Sequence, residues 1–557
     1  MSEKSDLQAL DFLENEKQFH LGFLPTEQSN PLTKTLEQDF RQSNADGVKC
    51  LQRVDRNVLA MARRIFGSAQ FRKLADTGLE TIRRGGKIVF SGCGATGRLS
   101  ILLECMWRDY CAKTPEAAKY ADQVASIMTG GDYALVKSVE FFEDYQSFGR
   151  RQVQEMGMGA QDMLVAITEG GETSSVLGTV FEALERGSSV FLLFNNPADL
   201  LAEHLERSRK AIRAPRVCVL DLSCGPMALA GSTRMQATTS EQLVAGAALE
   251  MVMDQLLGLQ PRDYAADFEK LLQNLEAPAS VQAMAEYIGF EAEIYRGKGL
   301  VTYFANDFLL DIFTDTTERS PTFMLPPFRK NDDDLSPRPW AFVKNPLLTT
   351  PEVWAEGMHR PLRCLDWHRE DYLQMGAPAS VQDNQPKIQA AELLKFEVGK
   401  ESPQERAVTG SDAAVLVNVG QTQSNPGVFQ AFETLKAPFA FRRHLSIGGE
   451  QGDFRVPCEL PETPLQIMKH LAVKLVLNTI STGTMAVLGR VTGNWMSWVD
   501  ATNKKLIDRA TRLIAEIGGL DYHTACLKVF EAMEASENSQ SEEKVSVVQY
   551  ALKQLGR

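Results

Sequence analysis

The chain has 557 residues, 44% hydrophobic and 24% charged, and its 59 basic side chains stand against 72 acidic ones for a net charge of -13. At ~100–200 residues per domain this length predicts two to four domains, and the acidity excludes the global positive field that a nucleic-acid binder needs. No apolar run approaches the ~18 residues of a membrane helix, the leading MSEKSDLQALDFLENEK is too polar for a signal peptide, and nine cysteines without a C-x-x-C pair fit a reducing, cytoplasmic setting.

In chain order, residues 24–36 (LPTEQSNPLTKTL) read as an irregular polar segment, and helical periodicity runs from about Val48 to Arg84. Lys87–Ser91 is a short apolar run that stops at Gly92-Cys93-Gly94-Ala95-Thr96-Gly97, after which Leu99, Leu102, Leu103 and Met106 return at helical spacing. This is strand, glycine turn, helix. The pattern recurs where Val124–Met128 meets Thr129-Gly130-Gly131-Asp132, where Met163–Ile167 meets Thr168-Glu169-Gly170-Gly171-Glu172-Thr173, and where Val190–Phe194 meets Asn195-Asn196-Pro197. Strands alternating with helices predict an α/β fold with parallel sheets and loops at their carboxyl edges.

Arg84-Gly85 returns as Arg296-Gly297, 212 residues on, and the same step lays strand 87–91 over 299–303. A diverged second copy follows, in which Gly92, Gly94 and Gly97 become Phe304, Asn306 and Leu309. Residues 260–290 read as helical, 376–411, with Pro378, Pro386 and Pro403, as a solvated insertion, and 501–557 as a charged helical cap. The expected division is a leading segment 1–45, domains 46–270 and 271–500, and the cap 501–557.

A glycine turn and a second turn bearing Thr168, Thr173, Ser174 and Ser175 both open helices, where free N–H groups, hydroxyls and the helix dipole favour a phosphate. A dinucleotide is disfavoured, since no acidic residue ends the next strand in the ribose position, and no G-x-x-x-x-G-K-[ST] loop is present. The grouping His359, Cys364, Asp366 and His368 matches no standard zinc module. The expectation is a sugar-phosphate site without metal or cofactor.

The segments TEQSNPLTKTL, GCGATGRL, MTGGDYALVKSVEFFED, GSTRM at 231–235 and LVLNTISTGTMAVLGRVTGNWMSWVDATNKKL at 475–506 resemble the N-acetylmuramic acid 6-phosphate etherase and glucokinase regulatory protein family. The resemblance implies two SIS-type (sugar isomerase) three-layer αβα domains in tandem, related by a pseudo-two-fold axis, plus a C-terminal helical cap. It implies phosphosugar contacts at Gly94, Ala95, Thr96, Thr168, Gly170, Gly171, Thr173, Ser232 and Arg234. It also implies two catalytic glutamates. One falls on Glu143; the other position is Met106 in the first half, but 212 residues on it is Glu318, within DTTERSPTF. A lysine of the family pattern is Gln242 in the first half and Lys474 in the second. The halves thus complement each other, and a composite site is expected from the loops of one with Glu318 and Lys474 of the other.

Taken alone, Asp311, Asp315 and Glu318 (i, i+4, i+7) read as a solvated acidic stripe, and Ser232 and Arg234 as a helix cap and surface ion pair. Glu172 stands where the etherase pattern has Arg, and a carboxylate there repels a phosphate unless it points into solvent. Two functions follow from the resemblance: a hexose- or amino-sugar-phosphate sensor, with a sugar kinase as partner, or an etherase that removes the lactyl ether of N-acetylmuramic acid 6-phosphate. A sugar-phosphate isomerase is the weaker alternative, because no histidine lies near either loop.

Overall fold

A computed structural model describes residues 3–402, 406–407, 409–420, 425–537 and 546–556. The first half is built on β1 (Ile88–Gly92), β2 (Val124–Met128), β3 (Met163–Ile167), β4 (Ser189–Phe194) and β5 (Val217–Asp221). The second is built on β6 (Val301–Phe304), β7 (Ala341–Lys344), β8 (Ala413–Val419), β9 (Phe441–Ile447) and β10 (Phe454–Val456). The sheet orders are β2-β1-β3-β4-β5 and β7-β6-β8-β9-β10, with every neighbouring pair parallel. Counted from its own first strand, each half therefore has the same topology. The repeat anticipated by the 212-residue step is present, with the second copy's first strand starting at Val301 rather than 299.

Because parallel strands are covered on both faces, most strand residues outside β9 are apolar, and alternate side chains enter different layers. Phe90 and Val165 join the large core that runs through both halves and the cap, while Val89, Leu164 and Ala166 pack in a separate core on the sheet's other face. In the second sheet Val415 and Val417 face the common core, and Ala414 and Leu416 face a smaller one with Val428 and Phe432. Both halves are three-layer α/β domains, as expected. The helices Gln236–Leu257 and Ile467–Val487, buried nearly throughout, pack on one another between the halves, as do Ala95–Lys113 and Leu309–Phe323.

Two segments depart from the sequence reading. The polar segment 24–36 is an internal strut: Thr26, Asn30 and Thr33 are buried, Asn196 donates to Thr26 Oγ1 and to the Gly170 carbonyl, and Asn494 donates to the Asn30 carbonyl. The 376–411 stretch is not a solvated insertion; Ile388, Leu393, Phe396 and Val398 are buried in the common core, and Phe396 meets Tyr133 of the first half. Pro403 lies outside the described residues. Just upstream, Arg360 donates to both oxygens of Asp132 at 2.6 and 3.0 Å, and Arg363 donates to Glu104. The helices Lys504–Gly518, Tyr522–Glu537 and Val547–Gln554 form the cap. Arg509 and Arg512 fasten it to Glu27 at 2.6 and 2.8 Å.

Candidate functional site

The first glycine turn separates two jobs that glycine does. A side chain at Gly92 would lie 2.4 Å from Thr96 backbone, and one at Gly97 2.7 Å from Met128 Cγ, so both let strand and helix pack closely. Gly94, at φ 57°, has nothing within 4 Å of a Cβ position, so the turn is open to an approaching ligand only there. Ala95 begins the helix, and Thr96 Oγ1 bonds back to the Cys93 carbonyl and amide, so its hydroxyl holds the turn. In the second turn, Thr168 Oγ1 donates to Thr173 Oγ1 at 3.0 Å, and Gly171 adopts φ 75° with its Cβ position against Leu201 and Phe194.

Across from the first turn stands the second half. Arg98, one turn into the helix after Gly94, is 1% exposed and pairs with Glu318, while its other donors reach the Ala134 and Leu135 carbonyls. The Asp311, Asp315 and Glu318 stripe is therefore buried, not solvated. Arg234 donates to Asp315 at 2.9 Å and to Ser481 and Thr482, so the GSTRM segment is clamped to the second half rather than lying at the surface. Burial raises the Asp315 carboxyl, but Arg319 and Arg234 outweigh it and hold Asp315 below the usual range. Ser232 is 3% exposed, with its Oγ unpartnered.

Lys474 also crosses the halves. Its ammonium donates to the carbonyls of Arg234 (2.7 Å) and Met235 (3.1 Å), to Thr239 Oγ1 and to Asn478. Burial, reinforced by the neighbouring Arg234, lowers its pKa to about 7. Ala95, Arg234, Glu318 and Lys474 thus line one cavity, together with Thr238 and Gln242. The cavity holds about 30 Å³, room for a water and not for a hexose phosphate.

Glu143 does not line that cavity. It lies in the short helix Glu140–Asp144, where Asn503 donates to it at 3.2 Å and Lys505 of the cap stands 4.0 Å away. Lys505 is also 3.8 Å from Glu172, whose carboxylate takes a 2.6 Å bond from Arg207. The carboxylate beside the phosphate loop is thereby neutralised without turning into solvent. Burial raises its pKa, yet Lys505 and Arg207 prevail and lower it.

Two groups in this region escaped the motif reading. Lys505 lies within the ATNKKL stretch that carries the resemblance, and the fields of Glu143 and then Glu172 overcome its burial to raise its pKa. Glu169 sits between the two turns' partners, with Thr238 Oγ1 3.5 Å from its carboxylate. Burial, partly offset by Lys505 and added to by Glu318 and Glu143, lifts it to about 7. The fields of both predicted glutamates thus reach it. Glu104, two residues from Met106, is fully buried in its own network with Arg108, Ser126, Arg360 and Arg363.

Among the described residues no group of three or more His, Cys, Asp and Glu side chains could hold a metal ion, and His359 and His368 are engaged with Asp109 and Asp371 respectively. Among the described helices none is long and apolar enough to cross a membrane.

Residues 71–184 match the glucokinase regulatory protein N-terminal SIS domain. The chain is also similar to the N-acetylmuramic acid 6-phosphate etherase 1 of Bacillus licheniformis, with 27% identity over 225 residues, 40% of this chain and 67% of the relative. The N-acetylmuramic acid 6-phosphate etherase of Yersinia pestis is 29% identical over 224 residues, 40% of this chain and 68% of the relative. Among solved structures, tagatose-6-phosphate ketose/aldose isomerase from Escherichia coli is similar with a TM-score of 0.44 and 10% identity, covering 82% of this chain and 96% of that one. The C-terminal domain of glucosamine-fructose-6-phosphate aminotransferase from Francisella tularensis has a TM-score of 0.42 and 10% identity, covering 80% and 96%.

Proposed function

We propose that the chain binds a hexose or amino-sugar phosphate in one composite site between domains 46–270 and 271–500, beneath the cap 501–557. The observation that carries this reading is the joining of Arg98 in the helix after the glycine turn to Glu318, 220 residues on. In this reading the turns Gly94–Thr96 and Thr168–Thr173 take the phosphate through backbone N–H groups. Lys505 supplies the compensating charge, Glu143 and Glu318 flank the sugar, and Lys474 fixes the Ser232–Arg234 loop from below. Because the cavity is closed to a hexose phosphate, binding parts the Arg98–Glu318 pair. A sugar-kinase partner, brought in by the likeness of 71–184 to the regulatory protein, belongs to the sensor form of this reading.

A second reading, etherase chemistry, is favoured by Glu169. Proton removal at C2 and protonation of the departing lactate require a base and an acid near neutral pH, and a carboxyl lifted to about 7 can serve as either. Elimination then breaks the lactyl C–O bond, and water adds to the unsaturated sugar.

The test is ligand binding followed by isotope exchange. Thermal denaturation with glucose 6-phosphate, fructose 6-phosphate, N-acetylglucosamine 6-phosphate and NAD should show stabilisation by a sugar phosphate, about 2.7 kcal/mol at ~100 times its dissociation constant, and none by NAD. Stabilisation by NAD alone would overturn the site. Deuterium uptake at C2 of N-acetylglucosamine 6-phosphate in heavy water, lost in Glu143→Gln and kept in Glu318→Gln, decides for the enzyme. Binding with neither exchange nor lactate release from N-acetylmuramic acid 6-phosphate decides for the sensor.

A further inference from the structure

The step that carries Ala95 to Asp307 and Met106 to Glu318 leads from the first cavity to a second, much larger one. This cavity, about 640 Å³, lies at the carboxyl edge of the second sheet, against the helix Ala95–Lys113. It is the pseudo-symmetric counterpart. Asp307 lines it where Ala95 lines the first, Met106 where Glu318 does, and the step from Gln242 to Lys474 likewise puts Gln466 and His470 in the places of Arg234 and Thr238. Its volume falls within the ~300–1,000 Å³ of small-molecule sites, and the carboxyl edge of a parallel sheet is where such sites form.

The features suited to phosphate are gone from it. The glycines are gone: Phe304, in the place of Gly92, is buried against Phe432 and Phe439, and Asn306 and Leu309 line the cavity in the places of Gly94 and Gly97. Five carboxylates, those of Asp109, Asp307, Asp311, Glu356 and Glu462, face two lysines. Each lysine is already matched, Lys113 with Asp109 at 2.7 Å and Lys469 with Glu462. A dianion entering this field is repelled. The polar groups of the cavity hydrogen-bond with one another, and its carboxylates keep further lone pairs for a ligand's hydroxyls. His470 Nδ1 lies 2.8 Å from Asp311, His359 Nε2 lies 3.2 Å from Asp109, and Asn345 donates to Asn306 at 3.1 Å. Met106, Leu102 and Phe308 supply an apolar wall beside these groups.

The backbone is also unusual here. Of the six described non-glycine residues with positive φ, three line this cavity: Phe308 (55°), His359 (49°) and Gln466 (53°). Such conformations persist where the surroundings enforce them, and they gather at ligand sites.

We propose that this cavity is a second ligand site that takes a polyhydroxylated small molecule without a phosphate, a free sugar or polyol. Carboxylates and amides receive and return the hydrogen bonds of vicinal hydroxyls, and the Met106, Leu102 and Phe308 wall covers the C–H face. The site is independent of the phosphosugar reading of the first cavity. Asp311 lines both cavities, so the test relies on Asp307 and Asp109, which line only the second.

The experiment is saturation-transfer NMR on the full chain with glucose, glucosamine, N-acetylglucosamine and myo-inositol, each with and without saturating glucose 6-phosphate. At least one compound should bind saturably, glucose 6-phosphate and inorganic phosphate should not displace it, and Asp307→Ala and Asp109→Asn should each weaken it roughly tenfold. Should either variant fail to fold, hydrogen exchange of the wild-type chain gives the second readout, with segments 306–310 and 466–470 slowed by the bound compound. Absence of binding by all four, displacement by phosphate, unchanged affinity in both variants, or unchanged exchange in those segments overturns the proposal.

Discussion

The two sheets share one strand order, yet the turns at their carboxyl edges have opposite characters. After β1 the backbone is bare at Gly94 and cations stand close by; after β6 Asn306 and Leu309 stand in the places of Gly94 and Gly97 and carboxylates crowd the edge. The helices that follow differ in the complementary sense, Met106 in one and Glu318 in the other. What the difference teaches is that a duplicated fold fixes where a cavity forms, while a few side chains at matching positions decide its charge. Arg98 shows this most clearly, because its counterpart 212 residues on is Leu310, half-buried beside the second cavity.

Breaking the Arg98–Glu318 pair should have the largest effect. Arg98→Met leaves a buried carboxylate uncompensated and should cost about 3–5 kcal/mol in chemical denaturation, whereas Leu310→Ala should cost less. Equal costs at the two positions would end the claimed asymmetry.

The cap should release in acid. Burial raises Glu27 from 4.5, but Arg509 and Arg512 overcome it and hold the pKa at about 2, so its contribution is present above 4.5 and is lost as pH falls toward 2. That contribution is about 3 kcal/mol, and Glu27→Gln should abolish the acid-dependent part. Urea melts across this window check it, and a wild-type slope that survives in the variant would show that other carboxylates govern it.

At the ligand level the halves should part again. Glu318→Gln should weaken sugar-phosphate binding by ~1.5–3 kcal/mol, the worth of a charged hydrogen bond, while Met106→Gln, at the matching position, should leave it unchanged in calorimetric titration.

Two further groups have pH dependences that oppose each other. Glu169, lifted from 4.5 to about 7, favours the folded state below 4.5, and that contribution is lost as pH rises to 7. Lys474, lowered from 10.5 to about 7, contributes above 10.5, and its contribution is lost as pH falls to 7. Relative to the wild type, Glu169→Gln should therefore gain stability between 4.5 and 7, and Lys474→Met between 10.5 and 7 with falling pH. Thermal melts at several pH values measure both signs.

Local pattern by itself determined the strand, glycine turn and helix of the first half, since close packing at Gly92 and Gly97 leaves a spacing that can be read without a structure. It also made the repeat legible, because duplicated positions keep their order along the chain, whereas Glu318 and Lys474 were singled out only through the resemblance to the etherase family. The buried character of 376–411 was hidden, because the alternation of Leu394, Phe396 and Val398 with Lys395 and Glu397 is confined to five residues of a stretch otherwise rich in Pro, Gln, Glu and Lys. Only the tertiary structure decided which charges meet. Glu172 is tamed by Arg207 and Lys505, Glu318 is joined to Arg98, and Glu169 stands within reach of the fields of Lys505, Glu318 and Glu143. Periodicity follows from the geometry of one element and can be read along the chain, whereas a buried charge is set by partners hundreds of residues away that only packing brings near.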